Sequence, residues 1–402
     1  MEITFIIIPV ENHLMLDDRI QEISSLASSA GAEVSAFECV KINKIVPATY
    51  IGKGKLEEIK VKCEEHNCNL VIFDGELTPS QTLNMSEALG DIKVIDRTTL
   101  ILDIFALSAK SSEGKIQVEL AQLKYIYPRL KGKGSALSRL GGGIGTRGPG
   151  ESQLETDRRH IRKRINYLEE RLNELQTRRQ LQTQRRNKNG VLKVTLVGYT
   201  NTGKSTTLNA LTNSDVLVEN KLFATLDPTT RKLNLGDLTV LLTDTVGFIQ
   251  NIPTTLIEAF KSTLEAAVDA DLVLIVCDAT NDWQNQFITT NEMLNELKST
   301  ASRILVFNKC ENITDFSPYP ANSVFISAKE KRGLDGLLTK IRSHFESEYT
   351  KFIIKIPYDR LKLFHSLQNY AEHIDLNYTD EYLIAEITAS NKYLSKFEVL
   401  KQ

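Results

Sequence analysis

Over the first hundred residues, short apolar runs alternate with amphipathic stretches. Residues 4–10, 33–40, 70–73 and 92–95 are apolar and rich in β-branched side chains, whereas Ile20, Ile23 and Leu26, and then residues 56–63, follow helical spacing. Alternating β and α elements of this length predict a small α/β domain with a mostly parallel sheet over residues 1–112. The pattern then turns helical over 113–188. Residues 115–130 carry Val118, Leu120, Leu123 and Ile126 on one face and end near Pro128. Farther on, Ile161, Ile165, Leu168, Leu172 and Leu175 step by four, three, four and three, which is an a/d seam. These two stretches predict an antiparallel helical hairpin. Strand-like runs return at 192–197, 238–243, 272–277, 304–307 and just before 327, separated by helical pieces, so 190–347 reads as a second α/β domain around a mostly parallel sheet. Residues 350–402 hold strand-like 352–356 and 382–387 around a helical 361–373, a small α/β segment too short for a large core of its own.

Composition narrows the class. The chain has 402 residues, 41% hydrophobic and 25% charged, with a formal net charge of −2, so any polyanion binding has to come from a local patch. Cys39, Cys63, Cys68, Cys277 and Cys310 are scattered and odd in number, which fits a reducing cytosol better than a disulfide framework. Cys63 and Cys68 flank His66 but have no second ligand pair nearby, which argues against zinc. The first ten residues carry Glu2 where a signal peptide would be basic, and no stretch approaches the ~18 apolar residues of a membrane span. The expectation is a cytoplasmic protein without a membrane span.

The densest chemistry lies in the second α/β domain. Gly198-Tyr199-Thr200-Asn201-Thr202-Gly203-Lys204-Ser205 matches the phosphate-binding loop G-x-x-x-x-G-K-[ST], and it sits between a strand-like and a helix-like run as that motif requires. Backbone N–H groups and the helix N-terminus behind them would surround two phosphates, Lys204 would reach the β/γ oxygens, and the Ser205 hydroxyl would hold Mg²⁺. Asp244-Thr245-Val246-Gly247 follows a β-prone run, placing an acid to reach Mg²⁺ through water and a glycine N–H at a γ-phosphate. Between them, Phe223-Ala224-Thr225-Leu226-Asp227-Pro228 offers a loop threonine as a second Mg²⁺ hydroxyl, the makings of a switch ordered by triphosphate. Asn308-Lys309-Cys310-Glu311 opens from a strand and fits guanine recognition. The amide would meet O6/N7, the lysine stem would lie on the ring, and the carboxylate would accept from N1 and N2. Ser327-Ala328-Lys329 would then add a backbone N–H to O6. Five motifs in this order predict a Ras-like, Mg²⁺-dependent GTP/GDP site in which Lys204, Asp244 and Gly247 do the catalytic work. Glu311 stands where aspartate is usual, which predicts weaker exclusion of adenine. Phe248 stands where many GTPases place a water-orienting glutamine, which predicts slow unaided hydrolysis.

A second polyanion signal lies in the hairpin. Residues 131–150 hold eight glycines and four basic residues with no acid, and residues 155–188 hold eleven Lys/Arg against five Asp/Glu. A glycine-rich basic loop at the tip of a basic hairpin favours RNA, with Arg139, Gly142, Gly143, Arg147, Arg158, Arg159, Arg162 and Lys163 as candidate contacts. Lys53 and Lys55, interleaved with Gly52 and Gly54, could hold an anion, though a plain turn is the simpler reading.

The residues Leu140–Gly145 with Arg147–Glu151, Phe223–Pro228 and Asp244–Phe248 resemble the HflX family of translational GTPases, and the resemblance spans essentially the whole chain. It implies an N-terminal α/β domain, a helical hairpin and a Ras-like GTPase domain acting as a monomer. It also implies GTP-dependent binding to the large (50S) ribosomal subunit, with the hairpin loop reaching 23S rRNA, splitting or rescue of stalled 70S ribosomes, and release on hydrolysis. By the same resemblance Asn201 matches a P-loop asparagine that binds K⁺ in related GTPases, Thr225 matches the Mg²⁺ threonine, and some members also hydrolyse ATP. Two other readings stay open on sequence alone: an ATP-driven RNA remodeller, and a signalling switch whose hairpin binds a protein effector.

Overall fold

The computed structural model describes residues 2–10, 16–132, 153–188, 191–212, 222–223, 226–236, 238–249, 266–390 and 396–397. The chain divides into two compact units, one made of 1–175 with 219–227 and 250–262, the other of 176–218, 228–249 and 263–402.

In the first unit, β1 (Glu2–Val10), β2 (Ala32–Lys41), β3 (Leu70–Phe73) and β4 (Lys93–Asp96) form a wholly parallel sheet in the order β2-β1-β3-β4. Both faces of β1 are apolar because both are covered. Phe5 and Ile7 pack with Val71 and Phe73 against Leu56, Ile59, Cys63 and Met85 of the helices Lys53–Glu65 and Pro79–Ala88. Ile6 and Ile8 are equally buried, as period-two alternation requires of a two-sided strand. Side chains start the helices. Thr78 and Gln81 form a capping box, Asp96 accepts from Thr99 N at 2.9 Å to open the helix Arg97–Ser108, and Ser111 accepts from Gly114 N at 2.8 Å to open Ser112–Ile126. Gly52, part of the possible anion loop, begins the helix Lys53–Glu65 with ordinary negative φ, and Lys55 is paired with Glu38 and with Glu58 at 2.7 Å.

The helix Gln153–Lys188 keeps its predicted seam. Leu168 is buried and Ile161, Ile165, Leu172 and Leu175 are half-buried, while most positions between them are exposed. Arg164 grips Glu119 through two hydrogen bonds of 2.7 and 2.9 Å, Lys124 pairs with Glu169 at 2.7 Å, and the Arg158 guanidinium lies 5.3 Å from the Tyr127 ring centroid.

The second unit holds β5 (Leu192–Gly198), β6 (Thr229–Asn234), β7 (Thr239–Asp244), β8 (Leu272–Asp278), β9 (Ser302–Asn308) and β10 (Val324–Phe325) in the order β10-β9-β8-β5-β7-β6. All neighbours are parallel except the edge strand β6. The strand core of Val194, Leu196, Val240, Leu242, Leu274 and Val306 closes with Leu208 and Leu211 of the helix Lys204–Thr212 and with Leu337, Ile341 and Phe345 of Leu334–Glu348. The parallel arrangement brings the carboxyl ends of β5, β7, β8 and β9 to one edge, where ligand sites of such sheets lie.

The C-terminal stretch of this unit departs from the sequence expectation. The helix predicted over 361–373 ends at Leu367, and Ala371–Tyr378 is a strand (β12). With β11 (Tyr349–Pro357) and β13 (Tyr382–Ser390) it makes a three-stranded antiparallel sheet in the order β11-β13-β12. Ala371 and His373, inside the predicted helix, pair with Ala389 and Thr388 of β13, and there the cross-strand register wins over a weak helical pattern.

Asp74 is a buried ionic hub of the first unit. Only 3% exposed, it accepts from Arg19 Nη2 at 2.6 Å and Arg97 Nη1 at 2.7 Å, and Arg97 also pairs with Glu22. Replacing Asp74 by Ala removes a close ionic partner of the buried Arg97, a loss expected at about 3–5 kcal/mol. Faster hydrogen exchange at the β3 and β4 amides checks this; unchanged exchange would show that the pair gives no net stability.

Candidate nucleotide site

The loop after β5 is shaped by residues that tolerate unusual backbone. Asn201 has φ +61° and Gly203 φ +89°, both in the left-handed region where Asn and Gly are the favoured residues. A Cβ on Gly203 would stand 2.2 Å from Asn308 Nδ2, so only glycine allows this approach. The loop is locked to the one after β7 by two backbone bonds, Thr200 N to Phe248 O at 2.7 Å and Phe248 N to Gly198 O at 3.0 Å. Gly247 sits inside this clasp, where a Cβ would lie 2.8 Å from Thr200 Cα and 2.9 Å from Lys204 Nζ. Thr202 closes the turn from inside, its hydroxyl donating to Tyr199 O at 3.0 Å.

The Lys204 ammonium donates to the loop's own carbonyls, Tyr199 O at 2.7 Å and Gly198 O at 3.2 Å. Burial pushes its pKa down to about 8, against the opposing pull of the Asp244 charge. Ser205 Oγ donates to Asp244 Oδ2 at 2.6 Å, so a hydroxyl and a carboxylate converge within the reach of one ion. Hard oxygen donors of this kind suit Mg²⁺. The Phe248 ring is 1% exposed and belongs to the core.

The base-recognising half assembles on Asn308. Its Nδ2 donates to Thr202 O at 2.8 Å and its Oδ1 accepts from Ala328 N at 3.0 Å, tying the phosphate loop to the Ser327–Lys329 turn. Cys310 is held by its thiol on Ile326 O at 2.9 Å. Glu311 accepts from Ser327 Oγ at 2.5 Å, and that hydroxyl holds the carboxyl below the usual range. The Ser327 tie takes up the extra methylene that glutamate brings relative to aspartate. Lys329 is exposed. Lys309 Nζ pairs with Asp278 Oδ2 at 2.7 Å, an acid that sequence reasoning missed; its signal was an aspartate ending the buried run 272–277.

The structure thus gathers Gly198 to Ser205, Asp244 to Gly247, Asn308 to Glu311 and Ser327 to Lys329 in the second unit. Phe223, Leu226 and Asp227 make their contacts in the first unit. Phe223 and Leu226 are buried, with Phe223 edge-on to Phe105 at 4.7 Å between centroids. The Asp227 carboxylate accepts from Lys110 N at 2.9 Å, Ser111 N at 2.7 Å and the Ser111 hydroxyl, at the start of the helix Ser112–Ile126. Ala224, Thr225, Arg139, Gly142, Gly143 and Arg147 lie outside the described residues. Arg159, Arg162 and Lys163 are exposed, and Arg158 is half-buried.

The buried Lys204 generates a pH dependence. Its folded-state pKa lies below the unfolded lysine value, so between the two the folded chain binds fewer protons. The group therefore costs stability below about pH 8, and that cost is relieved as pH rises. Phosphate oxygens restore the ammonium's preference for its proton, so GDP binding takes protons up. Uptake per nucleotide should rise as pH passes up through about 8. Calorimetry in two buffers of different ionisation enthalpy measures it; uptake that does not rise would mean that the lysine is already protonated in its resting contacts.

Comparison with known proteins agrees with this site. Residues 17–106 match the model described as "GTP-binding GTPase N-terminal", 108–186 "GTP-binding GTPase Middle Region" and 193–309 "50S ribosome-binding GTPase". The chain is 49% identical over 383 residues to the GTPase HflX of Caldanaerobacter subterraneus subsp. tengcongensis, spanning 94% of this chain and 89% of that one. It is 50% identical over 330 residues to the GTPase HflX of Alkalihalophilus pseudofirmus, spanning 81% and 78%. Against the GTPase HflX of Escherichia coli the identity is 40% over 348 residues, spanning 84% and 82%. Relatives of this identity over most of the chain place it in the HflX family of GTPases.

Proposed function

We propose that the protein, in its GTP state, binds the large ribosomal subunit through 23S rRNA and splits or rescues stalled 70S ribosomes, with hydrolysis to GDP resetting it. The working partition is 1–112, 113–188, 190–347 and 350–402. The observation that carries the nucleotide half is Asn308, whose one amide ties the phosphate loop to the Ser327–Lys329 turn. For the ribosomal half, support comes from the exposed Arg159, Arg162 and Lys163 on a helix that follows an acid-free glycine-rich stretch, and from the 50S-binding family matched over 193–309.

In this reading Lys204 exchanges its two carbonyl partners for β/γ-phosphate oxygens, and the Gly247 N–H donates to the γ-phosphate. Ser205 and Thr225 would hold Mg²⁺, which neutralises charge on the β/γ oxygens when bound. Asn308, Glu311 and the Ala328 N–H read the guanine edge, and the Lys309 stem covers its face. Phe248 is locked in the core and presents no polar atom to an attacking water. Positioning of that water then falls to the ribosome, or to K⁺ held at Asn201.

GTP turnover in K⁺ buffer should rise at least about tenfold on adding purified 50S subunits, about 1.4 kcal/mol of barrier, and vanish in Lys204→Ala. Normal GTP binding with no stimulation would move the reading to a signalling switch. Neutralising Arg147, Arg158, Arg159, Arg162 and Lys163 together should flatten the salt dependence of 50S binding while leaving nucleotide affinity unchanged. An unaltered salt slope would remove these side chains from the contact.

A further inference from the structure

We infer that Asp278 is a positioning residue for the guanine site, fixing the Lys309 side chain in the extended path on which base binding depends; this rests on the guanine-site reading above. Asp278 ends β8, is 2% exposed, and pairs in register with Asn308 at the end of β9, so its carboxylate stands beside the residue that precedes Lys309. Four donors saturate its two oxygens. Oδ1 accepts from Thr280 N at 3.0 Å and Thr280 Oγ1 at 2.7 Å; Oδ2 accepts from Asn281 Nδ2 at 2.9 Å and Lys309 Nζ at 2.7 Å.

The pattern of these bonds decides which partner positions the other. Three of the four donors come from residues two and three places ahead, the local turn that an aspartate builds with its own backbone. The Asp278 N–H is held as well, donating to Gln286 Oε1 at 2.8 Å. The carboxylate is therefore fixed before Lys309 arrives. Lys309, by contrast, is a third exposed, hangs from a backbone at φ +64°, and carries four freely rotating side-chain bonds. Of the two, only the lysine has freedom to lose. Tethering its ammonium at the far end holds the aliphatic stem straight, the form a purine face can rest on, so the ordering cost is met before the nucleotide binds.

The consequence is a division of labour. Asn308, Ala328 and Glu311 touch the edge of the base and decide which purine is taken, whereas Asp278, acting through Lys309, sets how tightly any accepted purine is held. Asp278→Asn keeps one oxygen for Thr280 and turns an amide towards Lys309, releasing the ammonium. GDP and inosine diphosphate, which lacks the 2-amino group, should both dissociate roughly tenfold faster, with their affinity ratio unchanged. In the Asp278→Asn background, Lys309→Met should add little further loss, because both remove one unit; independent, additive losses would overturn the inference.

Stopped-flow release of N-methylanthraniloyl-labelled GDP and inosine diphosphate reads both. Release within twofold of wild type in Asp278→Asn would also overturn it, as would a changed GDP-to-inosine-diphosphate ratio. Glu311→Gln serves as the reference for the underlying reading: if it leaves that ratio untouched, the guanine-site assignment fails on its own, whatever Asp278→Asn does. Should Asp278→Asn fold poorly, Asn281→Ala loosens the carboxylate without touching Lys309. Faster release of both nucleotides, by about two- to threefold, is then expected, and an unchanged rate overturns the inference.

Discussion

The nucleotide site depends on the side-chain amide of Asn308. Its two hydrogen bonds run to different loops, one to the phosphate loop at Thr202 O and one from the turn at Ala328 N. Backbone bonds hold each loop separately, the first through Phe248 and the second between Ser327 and Arg332, and the Asn308 amide joins the two. Gly203 has to stay bare for the amide to fit, since any Cβ would overlap its nitrogen. Parallel pairing of β8 and β9 then places Asn308 opposite Asp278, so the residue that organises the loops and the one that holds the neighbouring lysine share one step of the ladder.

Electrostatics explains the resting shape of the phosphate half. Lys204 is buried, and a buried ammonium is costly unless paired. Lys204 turns to the carbonyls of its own loop, and Ser205 turns to Asp244. Both contacts are ones that phosphate oxygens and a divalent cation would take over, so binding exchanges partners instead of exposing groups to water. The backbone of Phe248 clasps the loop, a structural use for a position whose side chain offers no polar atom.

Much of this was legible in the sequence wherever the requirement is local. Gly198, Asn201 and Gly203 announce the loop because few residues adopt its backbone, and the 161–175 seam announces a half-buried helix because its period is set by helix geometry. What failed depends on distant partners. The helix expected to run to His373 gives way at Ala371, where β13 supplies a register for the strand β12. Asp278 was invisible for the same reason: an acid ending a strand is ordinary until Lys309, 31 residues later, is seen on its oxygen.

Glu311 shows how a departure from pattern is absorbed. One added methylene would carry a carboxylate away from the base edge if it swung freely. Ser327 sits in the turn that Asn308 already anchors through Ala328, and its hydroxyl holds Glu311 Oε1 while its oxygen accepts from Glu330 N at 3.1 Å. A carboxylate tethered in this way keeps its charge and a fixed lone-pair direction, the two properties that guanine N1 and N2 select. The longer side chain is thus held by a neighbour in the turn that Asn308 anchors, and in the guanine-site reading that chain of contacts is what aims the carboxylate.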